Sequence, residues 1–181
     1  MSGVSRPSAK VMTLVAVCVA LVVAVIVIDS TAGHKTPAAA PQPAPSFTLP
    51  SLRDPVQQVS LSAYRGHPVI LNFFASWCAP CQRETPLLAR FYRTRGNVVI
   101  IGVDADDKAT AARRFVAADN VHYPVGFEST PAIADAYGVS AIGIPETFFL
   151  DARHRIVKRI LGDVTMQSLT AGVALITPNR S

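Results

Sequence analysis

The sequence predicts an α/β domain in which a central mixed β-sheet is flanked by helices. Residues 69–75 form a nearly continuous apolar run of strand length, which is typical of a buried central strand. Residues 80–95 then place apolar side chains at helical spacing, and a short turn separates two later strand-like segments. Because strand–helix–strand units require parallel neighbours and a hairpin adds antiparallel ones, we expect a mixed sheet. The chain of 181 residues has room for one such domain.

The remaining elements are predicted from local patterns in chain order. Residues 47–49 and 59–61 are rich in β-forming residues and separated by turn formers, which predicts a leading β-hairpin. Further strands are predicted at residues 98–103, 148–150 and 156–161, the last two joined by a turn at 151–154. Further helices are predicted at residues 108–118, 132–137 and 165–176.

The N-terminal segment predicts a membrane anchor. Residues 11–28 form an uninterrupted apolar run, which as a helix would span roughly 27 Å, close to the thickness of a hydrocarbon core. Arg6 and Lys10 precede this run, so the positive-inside tendency places residues 1–10 in the cytoplasm and the rest of the chain outside it. The alternative is a signal peptide cleaved after the small residues 30–32, which would release a secreted protein.

A spacer and a single domain are predicted after the apolar run. Residues 29–45 are rich in Pro and Ala, a composition that favours an extended linker. Residues 46–181 then form the folded domain. The formal net charge of +5 is spread without long basic runs, which argues against nucleic-acid binding.

The cysteines indicate redox chemistry. Of the three cysteines, Cys18 lies inside the apolar run, which leaves Cys78 and Cys81, too few for a structural disulfide framework. Both lie where the central strand gives way to a helix, and the field of a helix N-terminus stabilises a thiolate. We therefore expect Cys78 to be the attacking thiol and Cys81 the resolving thiol. Pro80 suits the first helical turn, where its missing N–H removes no hydrogen bond.

Two alternatives to redox chemistry remain for this cysteine pair. A zinc site needs two further ligands, whereas the four histidines are scattered singly, so we expect no metal. A purely structural disulfide is the other alternative, but closing so short a loop contributes little stability. Asp104, Asp106 and Asp107 follow a predicted strand, and we interpret them as charges at a helix N-terminus rather than as metal ligands.

The motifs around the cysteines resemble a known family. The segment LNFFASWCAPC begins at Leu71, Glu84-Thr85-Pro86 follows it, and GIPETFFLD begins at Gly143. In combination they are similar to the membrane-tethered thioredoxin-like proteins of the TlpA, ResA and CcmG (DsbE) type. This resemblance covers nearly the whole domain and implies a thioredoxin-like fold with a strand–helix segment inserted within residues 104–125.

The resemblance also implies an activity and its partners. Members of this family commonly reduce disulfides of client proteins, including the haem-site cysteines of apocytochrome c. They draw electrons from a membrane thiol–disulfide carrier and use no cofactor. Two alternatives remain for this chain: an oxidase that forms disulfides, and a copper chaperone that binds a soft metal through both thiolates.

Several residues around the cysteines are candidates for client binding. A proline at the start of a strand suggests a special backbone, and the resemblance implies a cis bond between Ile144 and Pro145 that faces the disulfide. Main-chain groups of Ile144 would then pair with an extended client segment. Glu146 resembles an acidic residue of the CcmG branch that faces the client, with a salt-bridged loop residue as the alternative.

Other candidates lie on the cysteine helix itself. Trp77 offers an apolar surface to the client beside Ala79 and Pro80, with core packing as the alternative role for the indole. Glu84 lies three residues after Cys81 and so shares its helical face, which predicts that it accepts the Cys81 proton. A solvated glutamate is the alternative to this role.

Overall fold

The computed structural model describes residues 40–94 and 96–177. The strands are β1 (Gln42–Pro43), β2 (Thr48–Pro50), β3 (Gln58–Ser60), β4 (Val69–Phe74), β5 (Val99–Ala105), β6 (Val125–Glu128), β7 (Glu146–Leu150) and β8 (Arg155–Leu161). The helices are α1 (Ala79–Thr94), α2 (Ala109–Ala118), α3 (Ala132–Ala136) and α4 (Met166–Ile176). Short 3-10 turns span Leu61–Tyr64 and Ala141–Gly143.

The main sheet is mixed, as predicted. It has six strands in the order β1-β8-β7-β4-β5-β6, with β4, β5 and β6 parallel and the other neighbours antiparallel. Every residue of β4 is buried, because elements cover both faces of this central strand. The sheet therefore directs the carboxyl end of β4 into the segment that carries the cysteines.

The predicted leading hairpin is confirmed as a separate antiparallel pair, β2 and β3. The hairpin packs against β6, where the close approach of Leu49 requires a glycine at position 126. A Cβ added to Gly126 would lie only 2.9 Å from the Cβ of Leu49. The small residue thus lets the hairpin cover this end of the sheet.

Two strands were not predicted from the sequence. Residues 104–125 were predicted to hold an inserted strand and helix. They contain the end of β5 and all of α2, whereas β6 begins only at residue 125. Strand β1 falls within residues 29–45, predicted as a spacer, but Gln42 pairs with Ile156 of β8. The Tyr137 hydroxyl also donates to the carbonyl of Pro45 at 2.7 Å. Ordered structure therefore begins before residue 46, because β8 offers a free edge to an extended segment.

The predicted membrane span at residues 11–28 lies outside the described residues, as does most of the predicted spacer. Within the part of the chain that the structure describes, no helix has the length and apolar character needed to cross a bilayer.

Candidate active site

The centre of the candidate site is a disulfide between Cys78 and Cys81, with an Sγ–Sγ distance of 2.09 Å and a Cα–Cα distance of 5.2 Å. Cys78 directly precedes α1, and the backbone N–H of Cys81 points at the Cys78 Sγ at 3.2 Å. Cys78 retains 3% exposure, whereas Cys81 has 0%. The structure therefore places one sulfur at the helix N-terminus, with a hydrogen-bond donor directed at it, and shields the other completely.

A cis peptide bond joins Ile144 to Pro145, which confirms the sequence prediction. The carbonyl oxygen of Ile144 lies 3.6 Å from the Cys78 Sγ. Both residues are buried, and the carbonyl of Pro145 accepts a hydrogen bond from the N–H of Gly162 at 2.9 Å. The loop before β7 therefore faces the disulfide with fixed main-chain groups.

Glu84 lies three residues after Cys81 on α1 and is buried, with 1% exposure. Its Oε1 accepts a hydrogen bond from Asn72 Nδ2 at 2.7 Å, and its Oε2 accepts one from the N–H of Val164 at 2.8 Å. Arg83, by contrast, lies outside and pairs with Asp163 at 3.2 Å. The alternative of a solvated glutamate is therefore wrong.

The surroundings of Glu84 adjust its acidity. Burial raises the pKa of this carboxyl to about 7, against the two hydrogen bonds that lower it, and the nearby negative charge of Asp163 adds to the rise. Asn72 also donates to the Thr147 hydroxyl at 3.0 Å, so strands β4 and β7 both support the carboxyl. Sequence reasoning missed Thr147 and Val164. Thr147 belongs to the motif G-I-P-E-T and could have been chosen from it, whereas nothing in the local sequence around Val164 indicates a role in the site.

Trp77 lies at the surface beside the disulfide with 52% exposure, so core packing is not its role. Its indole Nε1 donates to the carbonyl of Asp106 at 2.8 Å. In the same loop after β5, Asp107 Oδ2 accepts a hydrogen bond from the N–H of Ser76 at 2.5 Å. The loop after β5 thereby holds the segment that precedes Cys78. Ala79 is exposed.

Pro80 is half-buried in the first turn of α1, as expected for a residue that donates no backbone hydrogen bond. It lies between the two cysteines, adjacent to the exposed Ala79.

Glu146 does not lie on an exposed client surface. It is the first residue of β7 and is buried, and its Oε2 accepts hydrogen bonds from Arg159 at 2.6 Å and 2.5 Å. Arg159 also donates to the carbonyl of Gly138 at 2.8 Å. The salt-bridge alternative is therefore the one observed, although in a strand rather than a loop, because β8 brings Arg159 alongside β7.

The interpretation of the three aspartates as charges at a helix N-terminus is wrong for Asp104, whereas Asp106 and Asp107 lie just before the N-cap of α2 and outside its first turn. Asp104 belongs to β5 and is fully buried, and neither of its carboxylate oxygens accepts a hydrogen bond. Burial, and next the charge of Asp107, raise its pKa to about 8. Lys108 is the residue that precedes α2, whose first turn holds no acid. Among the described residues, no three His, Cys, Asp or Glu side chains cluster as a metal site would require.

Comparisons with known proteins agree with this geometry. The model of the AhpC/TSA family matches residues 40–159. The thiol-disulfide oxidoreductase ResA of Bacillus thuringiensis subsp. konkukian is 32% identical over 138 residues, which cover 75% of this chain and 77% of the relative.

Solved structures show the same likeness. A DsbF homologue from Corynebacterium diphtheriae is 28% identical with a TM-score of 0.69, covering 80% of this chain and 95% of that structure. A DsbE-like thiol:disulfide interchange protein from Chlorobium tepidum is 27% identical with a TM-score of 0.62, covering 74% and 96%. With its thioredoxin-like fold and its cysteine pair, the chain belongs to the AhpC/TSA family and is a thiol–disulfide oxidoreductase of the TlpA/ResA/CcmG type.

Proposed function

We propose that this oxidoreductase reduces disulfides of client proteins outside the cytoplasm, with Cys78 as nucleophile and Cys81 as resolving thiol. The observation that carries thiol–disulfide exchange at Cys78 is the position of this residue at the N-terminus of α1, facing the carbonyl of Ile144 at 3.6 Å. A helix N-terminus favours the thiolate, and the cis-proline loop offers main-chain groups to an extended client.

The reaction proceeds in two exchange steps. The Cys78 thiolate attacks one sulfur of the client disulfide, which forms a mixed disulfide and releases the other client sulfur as a thiolate. Cys81 then loses its proton and attacks the Cys78 sulfur, which releases the second client thiolate and leaves the Cys78–Cys81 disulfide. Two electrons pass to the client, whose thiolates take up two protons. A thiol donor reverses these steps to restore the reduced protein.

Glu84 serves as the base for the second step in this proposal. It lies three residues after Cys81 on α1, so the two side chains share a helical face. A carboxyl whose pKa is about 7 exists in both protonation states near neutral pH, as a group that accepts and returns a proton must. Asn72 and Val164 fix its two oxygens at 2.7 Å and 2.8 Å, which orients the group.

The client surface of the proposal consists of the groups around the sulfurs. Trp77 and Ala79 are exposed beside Cys78, with Pro80 half-buried between the cysteines. Main-chain groups of Ile144 pair with the client, and Pro145 fixes the loop. Glu146 supports this loop from inside through its ion pair with β8.

The client, the electron donor and the membrane topology in this proposal follow from the resemblance to the TlpA, ResA and CcmG proteins. Clients include apocytochrome c, and a membrane thiol–disulfide carrier supplies the electrons. Residues 11–28 anchor the protein, the residues from 29 up to β1 connect the anchor to the domain, and the domain lies outside the cytoplasm. A reporter that is active only outside the cytoplasm, fused after the last residue, is expected to be active. A silent fusion with normal expression contradicts this topology.

The direction of electron flow is tested by the reduction potential. The N–H of Cys81 stabilises a Cys78 thiolate, which favours oxidase behaviour. No histidine lies between the cysteines, and the negative charge of buried Glu84 opposes a thiolate nearby, which favours reductase behaviour. Equilibration of the full chain with glutathione is expected to give a potential below about −200 mV. A value near −120 mV, as in strongly oxidising enzymes, contradicts the reductase proposal.

A further inference from the structure

A cavity of about 210 Å³ lies next to the disulfide, between the carboxyl ends of β5 and β6 and the start of α3. Its apolar wall consists of the buried side chains of Ala105, Ala134, Val139 and Ile144. Pockets for small-molecule ligands usually enclose about 300–1,000 Å³. The cavity is smaller than this range, so its size fits a single large amino-acid side chain better than a cofactor.

Two residues of the cavity lining also contact groups of the redox site. Ile144 lines the cavity, and its carbonyl oxygen lies 3.6 Å from the Cys78 Sγ. Asp106 also lines it, and its carbonyl accepts the indole N–H of Trp77 at 2.8 Å. A client segment that contacts Trp77 and pairs with Ile144 therefore runs along the border of the cavity.

Two large apolar side chains are exposed in the segments next to Ile144 and Cys78. Ile142, in the turn that leads to Ile144, is 97% exposed, and Trp77, which directly precedes Cys78, is 52% exposed. Both are available for apolar contact with a client segment that reaches the disulfide.

The charges of the cavity are all of one sign. Asp106, Glu128 and Asp135 line it, and no Lys, Arg or His among the described residues does so. The Glu128 carboxylate is buried and accepts the backbone N–H groups of Ile133 and Ala134. Asp106 and Asp135 are exposed, and neither forms an ion pair with any other described residue. Two carboxylates are therefore free to face a ligand.

We propose that this cavity is a specificity subsite that receives a lysine or arginine side chain of the client, close to the client cysteine. The methylene stem of such a side chain packs on the apolar wall, while its cationic group meets the carboxylates of Asp106 and Asp135. Because Ile144 both lines the cavity and has its carbonyl oxygen 3.6 Å from the Cys78 Sγ, the basic residue is expected one or two positions from the client cysteine. This inference rests on the proposed reduction of client disulfides at Cys78.

Reduction of matched peptides by the full-length protein tests the subsite. Each disulfide peptide carries Arg, Gln or Glu at one position, placed in turn one or two residues before and after the attacked cysteine. At one of these positions kcat/KM is expected to decrease in the order Arg, Gln, Glu, with about tenfold between Arg and Glu. The ratio is expected to fall towards unity at about 1 M salt, where the Debye length is about 3 Å.

Charge-removing variants locate the preference. In the double variant Asp106→Asn and Asp135→Asn, the Arg-to-Glu ratio is expected to fall to about threefold or less. The matched control Asp54→Asn and Asp119→Asn removes the same charge outside the cavity lining and is expected to keep the wild-type ratio. Thermal unfolding confirms that each variant is folded.

The outcomes separate the subsite from the proposed function. Equal rates for all three peptides at every position, or a preference for Glu, overturn the subsite while leaving the reductase intact. A preference for Arg that survives in the double variant overturns its location. Failure to reduce any peptide contradicts the proposed function itself.

Discussion

Two buried carboxyl groups of this protein, one on helix α1 and one on strand β5, differ in the hydrogen bonds that they receive. Glu84 on α1 receives hydrogen bonds from Asn72 and from the backbone of Val164, whereas Asp104 on β5 receives none. Burial is the main cause of a raised pKa for both, to about 7 and about 8 respectively. The difference teaches that burial raises the pKa of a carboxyl and that its neighbours then modify this pKa in opposite directions: the donors to Glu84 lower it, whereas the charge of Asp107 raises that of Asp104 further.

The largest expected effect concerns stability and Asp104. The pKa of Asp104 in the folded state is about 8, above its ordinary value of 3.8. Between these two pH values, the folded state therefore keeps a proton that the unfolded state has lost. The stability that Asp104 contributes is therefore fully present below pH 3.8. It decreases by about 1.4 kcal/mol per pH unit as the pH rises from there to about 8. Over the three units from pH 5 to pH 8 this amounts to about 4 kcal/mol.

Asp104→Asn removes this titration, because asparagine keeps the shape of the protonated acid. The free energy of unfolding of the oxidised protein, measured in urea at pH 5, 6.5 and 8, is expected to fall much less steeply than in the wild type. The decline that remains comes from Glu84, Glu128 and Asp119, because burial raises the pKa of each of these carboxyls in the same direction. Equal slopes in wild type and variant would show that Asp104 ionises freely, which contradicts the comparison.

The next effect concerns rate and Glu84. Glu84→Gln removes the proton acceptor but keeps the side-chain shape, so resolution of the mixed disulfide is expected to slow on the order of 100-fold. The wild-type rate is expected to rise with pH through about 7, as Glu84 loses its proton, and the variant is expected to lack this step. Stopped-flow measurement of the resolution step across pH 5–9 checks both expectations.

Asp104→Asn is the matched control for rate, and Asn72→Leu sharpens the assignment. The control is expected to retain the wild-type pH–rate profile, because Asp104 forms no hydrogen bond to either cysteine. Asn72→Leu deletes the donor that lies 2.7 Å from Glu84 Oε1, so the inflection is expected to move upwards by about one pH unit. An inflection that remains in Glu84→Gln assigns the titration to another group, such as a cysteine thiol.

The sequence determined the chemistry and its position in the chain. Cys78 and Cys81 follow a buried strand of continuous apolar residues, and this local pattern alone predicts a helix N-terminus carrying a reactive sulfur. The resemblance carried by the motif around Ile144 and Pro145 also implied a cis bond there, and the structure confirms that it is cis. These features depend on residues close together in the chain, which is why the sequence was sufficient.

Only the tertiary structure decided what surrounds the acids. Helical spacing placed Glu84 on the face of Cys81, but whether that face is solvated depends on Val164, which is 80 residues away in the sequence. Likewise, Asp104 is a buried strand residue because β4 and β6 flank it on both sides, and Glu146 is ion-paired because β8 pairs with β7. Burial and hydrogen-bond partners arise from chain segments brought together by folding, and a local sequence pattern contains no record of which segments will meet.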